Sequence, residues 1–333
     1  MTQGSERVQQ REGQGDRVFL VVAHTGRDQV APTLEAIARQ CGANGIELRL
    51  VDSDTREDAR ADVDVDRLRE LGATVTRVEH GDGAALGCEV VIALGGDGTF
   101  LRAAEFAQPA EVPVIGINLG HIGFLAEAEA GSIDDVMTRL VDGDYTVEPR
   151  MTLDVTLVGA DGTTILHTWA LNEVVVQNDS HRGVLEVVTE VDGRPVSAFG
   201  ADGVLVATPT GSTAYAFSAG GPVMWPDLEA ILVVPNNAHA LFARPMVTSP
   251  HSRVAVEVEA GGQAAVAVCD GRRSGAVPPG ARVEVVRSER SVRWVRIDAE
   301  PFTDRLVTKF NLPVTGWRGR SGRPAGPGKG RRA

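Results

Sequence analysis

Apolar positions along the chain fall into two textures. Between residues 17 and 149, short apolar runs alternate with longer amphipathic stretches. RVFLVVA (17–23), IELRLVD (46–52), TVTRV (74–78), EVVIAL (89–94) and PVIGIN (113–118) read as strands. The stretches between them, at 28–41, 61–72, 99–107 and 131–141, read as helices. Near-continuous Val, Ile and Leu marks strands covered on both faces, the pattern of a parallel sheet flanked by helices. The expected first domain, 17–149, is therefore a doubly wound α/β, Rossmann-like fold.

From Arg150 the texture changes. MTLDVTLV, WALNEVVV, VLEVVTEV, GVLVAT, AILVVP, RVAVEVEA, AAVAVC, RVEVV and VRWVRI follow one another with turn residues between them. RVAVEVEA alternates, with Val254, Val256 and Val258 on one face. This predicts an all-β, sandwich-like second domain over 150–299. PFTDRLVTKFNLP (301–313) then places Phe302, Leu306 and Phe310 at helical spacing, a short helix within 300–316. Residues 1–16 and 317–333 read as solvated tails, the second with six cations and no anions.

Composition narrows the function classes. The 333 residues are 43% hydrophobic and 23% charged, as in ordinary globular proteins. A net charge of −12 argues against a nucleic-acid or membrane-surface binder. Three widely spaced cysteines (Cys41, Cys88 and Cys269) fit free thiols in a reducing cytoplasm. No apolar run is long enough to span a membrane, and the N-terminus lacks a signal-peptide core. Seven histidines show no metal-ligand spacing, so no protein-held metal is expected.

The chemistry concentrates at VVIALGGDGTFLRAAE (90–105). Gly95–Thr99 follows a buried strand and precedes a helix, the place where open α/β sheets bind ligands. Glycines let backbone amides approach a phosphate, and a helix N-terminus adds partial positive charge. Asp97 or Thr99 could simply cap the helix, but a cap requires no glycine cluster. A carboxylate inside a phosphate cradle instead suits a base that accepts the proton of an attacking hydroxyl, or a partner for Mg²⁺ on the phosphates. Arg102, one turn on, reads as either a phosphate contact or a surface arginine.

Further on, Asn172 and Glu173 open a valine-rich strand and read as a turn or as polar ligands for a sugar or base. Asp202 precedes GVLVATPTGSTAYAFSAGGPV, whose tight turn offers hydroxyls at Thr210, Ser212, Thr213 and Ser218. Tyr215 taken singly reads as a core aromatic. His239 reads as structural, and Asp270-Gly271-Arg272 as a hairpin turn.

GGDGT resembles the motif shared by NAD kinases, diacylglycerol-type lipid kinases and phosphofructokinases. VIGINLGHIGFLAE (114–127), LNEVVV (171–176), DGVLVATPTGSTAYAFSAGGPV (202–223), NNAHALFARPMV (236–247) and CDGR (269–272) together resemble the NAD kinase family, in an actinobacterial-like form. The resemblance covers about 17–316 and implies a phosphofructokinase-like α/β domain, an all-β domain that binds NAD, and a last helix returning to the first domain. It implies transfer of a phosphoryl group from ATP, another NTP or polyphosphate to the 2′-hydroxyl of the adenosine ribose of NAD, giving NADP. Asp97 is then the catalytic base. Gly95, Gly96, Gly98 and Thr99 face the donor phosphates. Asp97, Gly98, Arg102, Asn172, Glu173, Asp202, Thr213, Ala214, Tyr215, Ala216, Phe217 and Ser218 line the NAD site. Mg²⁺ or another divalent cation binds mainly through the donor phosphates. A homodimer or homotetramer is implied.

Two rivals stay open on sequence grounds. A lipid kinase would share the glycine-rich turn but would want a membrane-facing surface. An NAD-sensing module would keep the second-domain blocks without needing Asp97.

Overall fold

The protein is described here by a computed structural model covering residues 6–7, 17–24, 29–51, 63–120, 123–179, 183–241, 243–297 and 301–314. Its first part contains β1 (Glu6–Arg7), β2 (Val18–Ala23), α1 (Val30–Ala43), β3 (Glu47–Val51), α2 (Val65–Glu70), β4 (Thr74–Val78), β5 (Val90–Leu94), α3 (Asp97–Ala107), β6 (Val114–Asn118), β7 (Ala128–Glu129), α4 (Ile133–Asp142) and β8 (Thr146–Arg150). The second runs through β9 (Leu153–Val158), β10 (Thr164–Ala170), β11 (Glu173–Asn178), β12 (Leu185–Val191), β13 (Arg194–Ala201), β14 (Gly203–Ala207), α5 (Tyr215–Ser218), β15 (Ile231–Asn236), β16 (Met246–Thr248), β17 (Val254–Val258), β18 (Ala265–Cys269), β19 (Arg273–Val277), β20 (Arg282–Arg287) and β21 (Val292–Arg296). A separate C-terminal unit holds α6 (Phe302–Phe310), closed by Asn311 in the left-handed region.

The first sheet has the order β1-β8-β21-β6-β5-β2-β3-β4, with β7 beside β6. From β2 the chain runs outward through β3 and β4 on one side and β5 and β6 on the other, so strand order reverses between β2 and β5. All β2–β6 pairings are parallel. Alternate residues explain the unbroken apolar runs. Phe19 and Val21 pack with Leu34 and Ile37 of α1 and Met137 and Leu140 of α4. Val18, Leu20 and Val22 face the other side, with Phe100, Ala103 and Phe106 of α3. Each buried phenylalanine contributes roughly 2 kcal/mol.

The second part is a sandwich of two antiparallel six-stranded sheets, β10-β9-β20-β17-β12-β13 and β16-β15-β14-β11-β18-β19. Val254, Val256 and Val258 point inward as their alternation predicts, against Val174 and Val176 of β11 and Val204 and Val206 of β14. The outer face of the second sheet is also covered. Val175, Leu205, Leu232 and Val234 pack under Ala216, Met224 and Ala230 of the 208–230 segment.

Three expectations are corrected. VRWVRI, read as the last strand of the β domain, is β21 and lies in the first sheet between β6 and β8. Its alternation is the same in either sheet, so only tertiary pairing decides. Its partner β8 escaped notice because TVEPR carries Pro149, which demotes a strand reading. The helix after the glycine-rich turn starts at Asp97, two residues before the predicted start. Within the segment read as an N-terminal tail, Glu6–Arg7 pairs with β8. The rest of that tail, the one at 317–333, and the whole 52–62 stretch lie outside the described residues.

Candidate active site

The glycine-rich turn sits at the carboxyl end of β5, beside the point where strand order reverses. Gly95 does not face a ligand with its amide, which donates to Ile117 O at 3.0 Å and continues the sheet. Gly96 is the N-cap residue of α3, and Asp97 and Gly98 open the helix. The amides of Gly96, Asp97 and Gly98 therefore lack acceptors inside the helix, at its positive end. Gly98 is exposed, with open space where a side chain would stand. Thr99 donates its amide back to Gly96 O.

Asp97 does not cap its own helix. Its Oδ1 accepts from the amide of Leu125 at 3.0 Å and its Oδ2 from Phe124 at 3.2 Å. A Cβ on Gly123 would fall 2.0 Å from Asp97 Oδ1, so only glycine lets these chains approach. The 123–127 segment is itself anchored. Glu127, its side chain fully buried, pairs with Arg296 of β21 at 2.8 Å and accepts the Ile297 amide at 3.2 Å. Sequence reading missed Gly123 and Glu127, although both lie in the GHIGFLAE block. His121 and Ile122 lie outside the described residues. Arg102, half-buried, lines a cavity with Val22 and Ala23 of β2 and Leu50 and Val51 of β3, at the carboxyl ends of those strands.

On the β domain, Asn172 and Glu173 are buried. Asn172 Oδ1 and Glu173 Oε2 have no hydrogen-bond partner among the described residues. Their backbone is tightly held. Thr208 donates its amide to Asn172 O at 2.9 Å, and a Cβ on Gly211 would come within 2.0 Å of the same oxygen. Burial and the neighbouring Asp270 carboxylate push the Glu173 carboxyl up to about 8, opposed by a hydrogen bond from the Tyr215 backbone. Burial likewise pushes Asp270 up, while Arg273 and three backbone amides favour its charged form. Buried acceptors left without protein partners are costly in a finished core and mark a place for a ligand's donors.

The 208–218 turn divides into ligand-facing and structural residues. Tyr215 is not a core aromatic; it and Phe217 are each 40% exposed. The Tyr215 hydroxyl accepts from Asn236 Nδ2 at 3.1 Å, and exposed Asp202 accepts from Asn237 Nδ2 at 2.8 Å. Asn236 and Asn237, at the end of β15, thus tie two expected site residues together; the Asn pair opening NNAHALF was their signal. Thr213 and Ala214 are half-buried and Ser218 is exposed. The Ala216 side chain is fully buried in the outer apolar cluster, which leaves its backbone to face a ligand. Ser212 is likewise structural, bonded to Pro209 O and to the Met224 amide. His239 donates its amide to Gly200 O, as a structural residue would. Residues 180–182 of the 177–183 loop are outside the described residues.

The two halves meet at α3. Leu171, next to Asn172, is buried in the same cluster as Phe100 and Ala103. Among the described residues no group of three or more His, Cys, Asp or Glu side chains is placed to hold a metal, and no helix is long and apolar enough to cross a membrane.

A helix N-terminus at the switch point of a doubly wound sheet, joined to a sandwich with buried acceptors that lack partners among the described residues, makes a nucleotide-binding protein the class that fold and site support. The ATP-NAD kinase N-terminal domain family matches residues 19–145, and the ATP-NAD kinase C-terminal domain family matches 171–297. The chain is 58% identical to an NAD kinase of Mycolicibacterium paratuberculosis over 91% of this chain and 98% of that one. It is 59% identical to an NAD kinase of Nocardia farcinica over 92% and 95%. An NAD kinase from Archaeoglobus fulgidus solved in complex with ATP superposes with a TM-score of 0.63 at 26% identity, covering 89% of this chain and 98% of that one. A yeast NADH kinase complexed with NADH shares the fold, with a TM-score of 0.78 at 18% identity over 91% and 89%. The chain belongs to the NAD kinase family, the phosphotransferases that convert NAD to NADP.

Proposed function

We propose that this chain phosphorylates the 2′-hydroxyl of the adenosine ribose of NAD, with ATP, another NTP or polyphosphate as donor. The observation that carries the reading is the pairing of about 58% identity to NAD kinases over nearly the whole chain with a lone carboxylate, Asp97, in the first turn of the helix at the switch point. In this reading the amides of Gly96 and Gly98 and the helix end receive the donor phosphates. Asn172, Glu173, Asp202 and the Thr213–Ser218 backbone and side chains hold NAD, with Asn172 Oδ1 and Glu173 Oε2 accepting from the bound nucleotide.

Asp97 takes the proton of the 2′-hydroxyl as the oxygen attacks the terminal phosphorus and the bond to the leaving phosphate breaks. Positioning and electrostatics carry most of such a transfer, so a carboxylate is an adequate base. The amides of Phe124 and Leu125 orient its two oxygens. A divalent cation would enter as part of the donor complex, held mainly through the donor phosphates, whose charge it would neutralise. We also place the chain in the cytoplasm as a homodimer or homotetramer; the three buried, unpaired thiols support the compartment.

The test is NADP formation by the purified protein with NAD, Mg²⁺ and either ATP or polyphosphate, followed through an NADP-specific dehydrogenase. Activity on a diacylglycerol and none on NAD would transfer the reading to a lipid kinase. Binding of NAD without turnover would make it a sensor.

A further inference from the structure

The β18–β19 hairpin joins both halves of the site and takes no part in the chemistry described above. Asp270 and Gly271 form its turn with φ of 53° and 70°, and the Arg272 amide closes it on Cys269 O at 3.0 Å. The Asp270 carboxylate is almost wholly buried, with 2% of the side chain exposed. It accepts the amides of Leu171 at 2.9 Å, Asn172 at 2.7 Å and Glu173 at 3.4 Å. Its other partner is Arg273, at 2.6 Å. The Arg273 guanidinium lies over the Trp169 ring at 4.3 Å and reaches Glu105 of α3 at 3.8 Å. Arg272 Nε donates to the same Glu105 oxygen at 3.1 Å. Glu105 stands eight residues beyond Asp97 on one helix, about 12 Å along its axis.

We propose that Asp270, Arg273 and Glu105, with the neighbouring Arg272, form a positioning device that sets the helix carrying Asp97 against the strand carrying Asn172 and Glu173. A buried ion pair needs further hydrogen bonds to satisfy its remaining lone pairs, and which groups supply them decides what the pair holds in place. Here Asp270 spends its acceptors on the backbone of Leu171, Asn172 and Glu173, and the last two each carry one side-chain oxygen without a hydrogen-bond partner among the described residues. Arg273 extends to the helix of the base. Each end of the cluster holds one half of the transfer, so its geometry fixes how the ribose oxygen meets Asp97. These are positioning residues, since none of them touches the reacting atoms in this reading, and the inference rests on the function proposed above.

The experiment measures kcat, KM for NAD, KM for ATP and thermal midpoint in wild type, Glu105→Ala, Glu105→Gln, Arg273→Lys and the Glu105→Ala/Arg273→Lys double variant. A misplacement of about 1 Å costs up to about 100-fold in rate. Glu105→Ala is therefore expected to lose about 10- to 100-fold in kcat, with both KM values within about twofold and the midpoint little changed. Glu105→Gln, which keeps an acceptor for Arg272, should recover most of that loss. Arg273→Lys keeps the charge and loses the fork and the stacking, and should fall similarly. The double variant should fall no further than the worse single one, because both break one linkage. Wild-type kcat in folded Glu105→Ala and Arg273→Lys would overturn the proposal. So would a lowered midpoint with normal turnover per folded molecule, or failure of Glu105→Gln to fold. A wild-type protein that makes no NADP removes the functional reading itself, and this inference with it.

Discussion

Asp97 Oδ1 and the Leu125 amide nitrogen are 3.0 Å apart, although 28 residues separate them in the chain. The first residue of α3 is thus oriented by the GHIGFLAE segment rather than by its own helix. Replacing Asp97 with Asn presents an amide to donors that require an acceptor and removes the base. Asp97→Asn should hold NAD affinity within several-fold and lower kcat by about 10²–10⁴. Equilibrium NAD binding and steady-state rates check this; near-native kcat would strip Asp97 of the role.

Gly123 should matter for the same reason. In Gly123→Ala the new Cβ would stand 2.0 Å from Asp97 Oδ1, so one chain must shift. The expected result is a kcat about 10- to 100-fold lower with NAD binding largely kept. Unchanged turnover would mean that Asp97 relocates without consequence.

Arg296 holds Glu127, whose side chain is fully buried, at 2.8 Å. Arg296→Met leaves that carboxylate with its cation removed, and breaking one side of a buried pair typically costs about 3–5 kcal/mol. Urea unfolding should show a loss of unfolding free energy of that size. A loss below about 1 kcal/mol would show that the carboxylate's other contacts, the Ile297 amide among them, suffice.

Glu173 gives a pH signature. Its ordinary value is 4.5, and burial beside Asp270 raises it to about 8 in the folded chain. Between these values the folded state binds more protons than the unfolded one, so this group's contribution to stability falls as pH rises. Its stabilising share is complete below about pH 4.5 and lost above about pH 8. Glu173→Gln abolishes the titration. The stability of wild type relative to Glu173→Gln should therefore decline from pH 5 to pH 8.5, by about 2–4 kcal/mol. Chemical denaturation of both proteins across that range decides it, and a constant difference would refute the raised value.

Much of this protein was legible along the chain. Unbroken apolar runs named the central parallel strands β2, β5 and β6, because a strand covered on both faces leaves no position for a polar residue. Alternation placed Val254, Val256 and Val258 in the sandwich. Glycines flanking one carboxylate marked the helix start at the switch point, since few other arrangements bring backbone amides to a phosphate. Pairing across the fold was a different matter. No periodicity assigns VRWVRI to one sheet or the other, and TVEPR conceals an edge partner behind a proline. Tyr215 and Ala216 are adjacent residues of one short helix, yet one is exposed and the other buried, because the packing of the segment on β14 and β15 sets that rotation. The carboxylates of Asp97 and Asp270 find their partners 27 and nearly 100 residues away. Local preference determines which elements form; only chain folding brings distant amides and charges within 3 Å, and that distance decides what each carboxylate does.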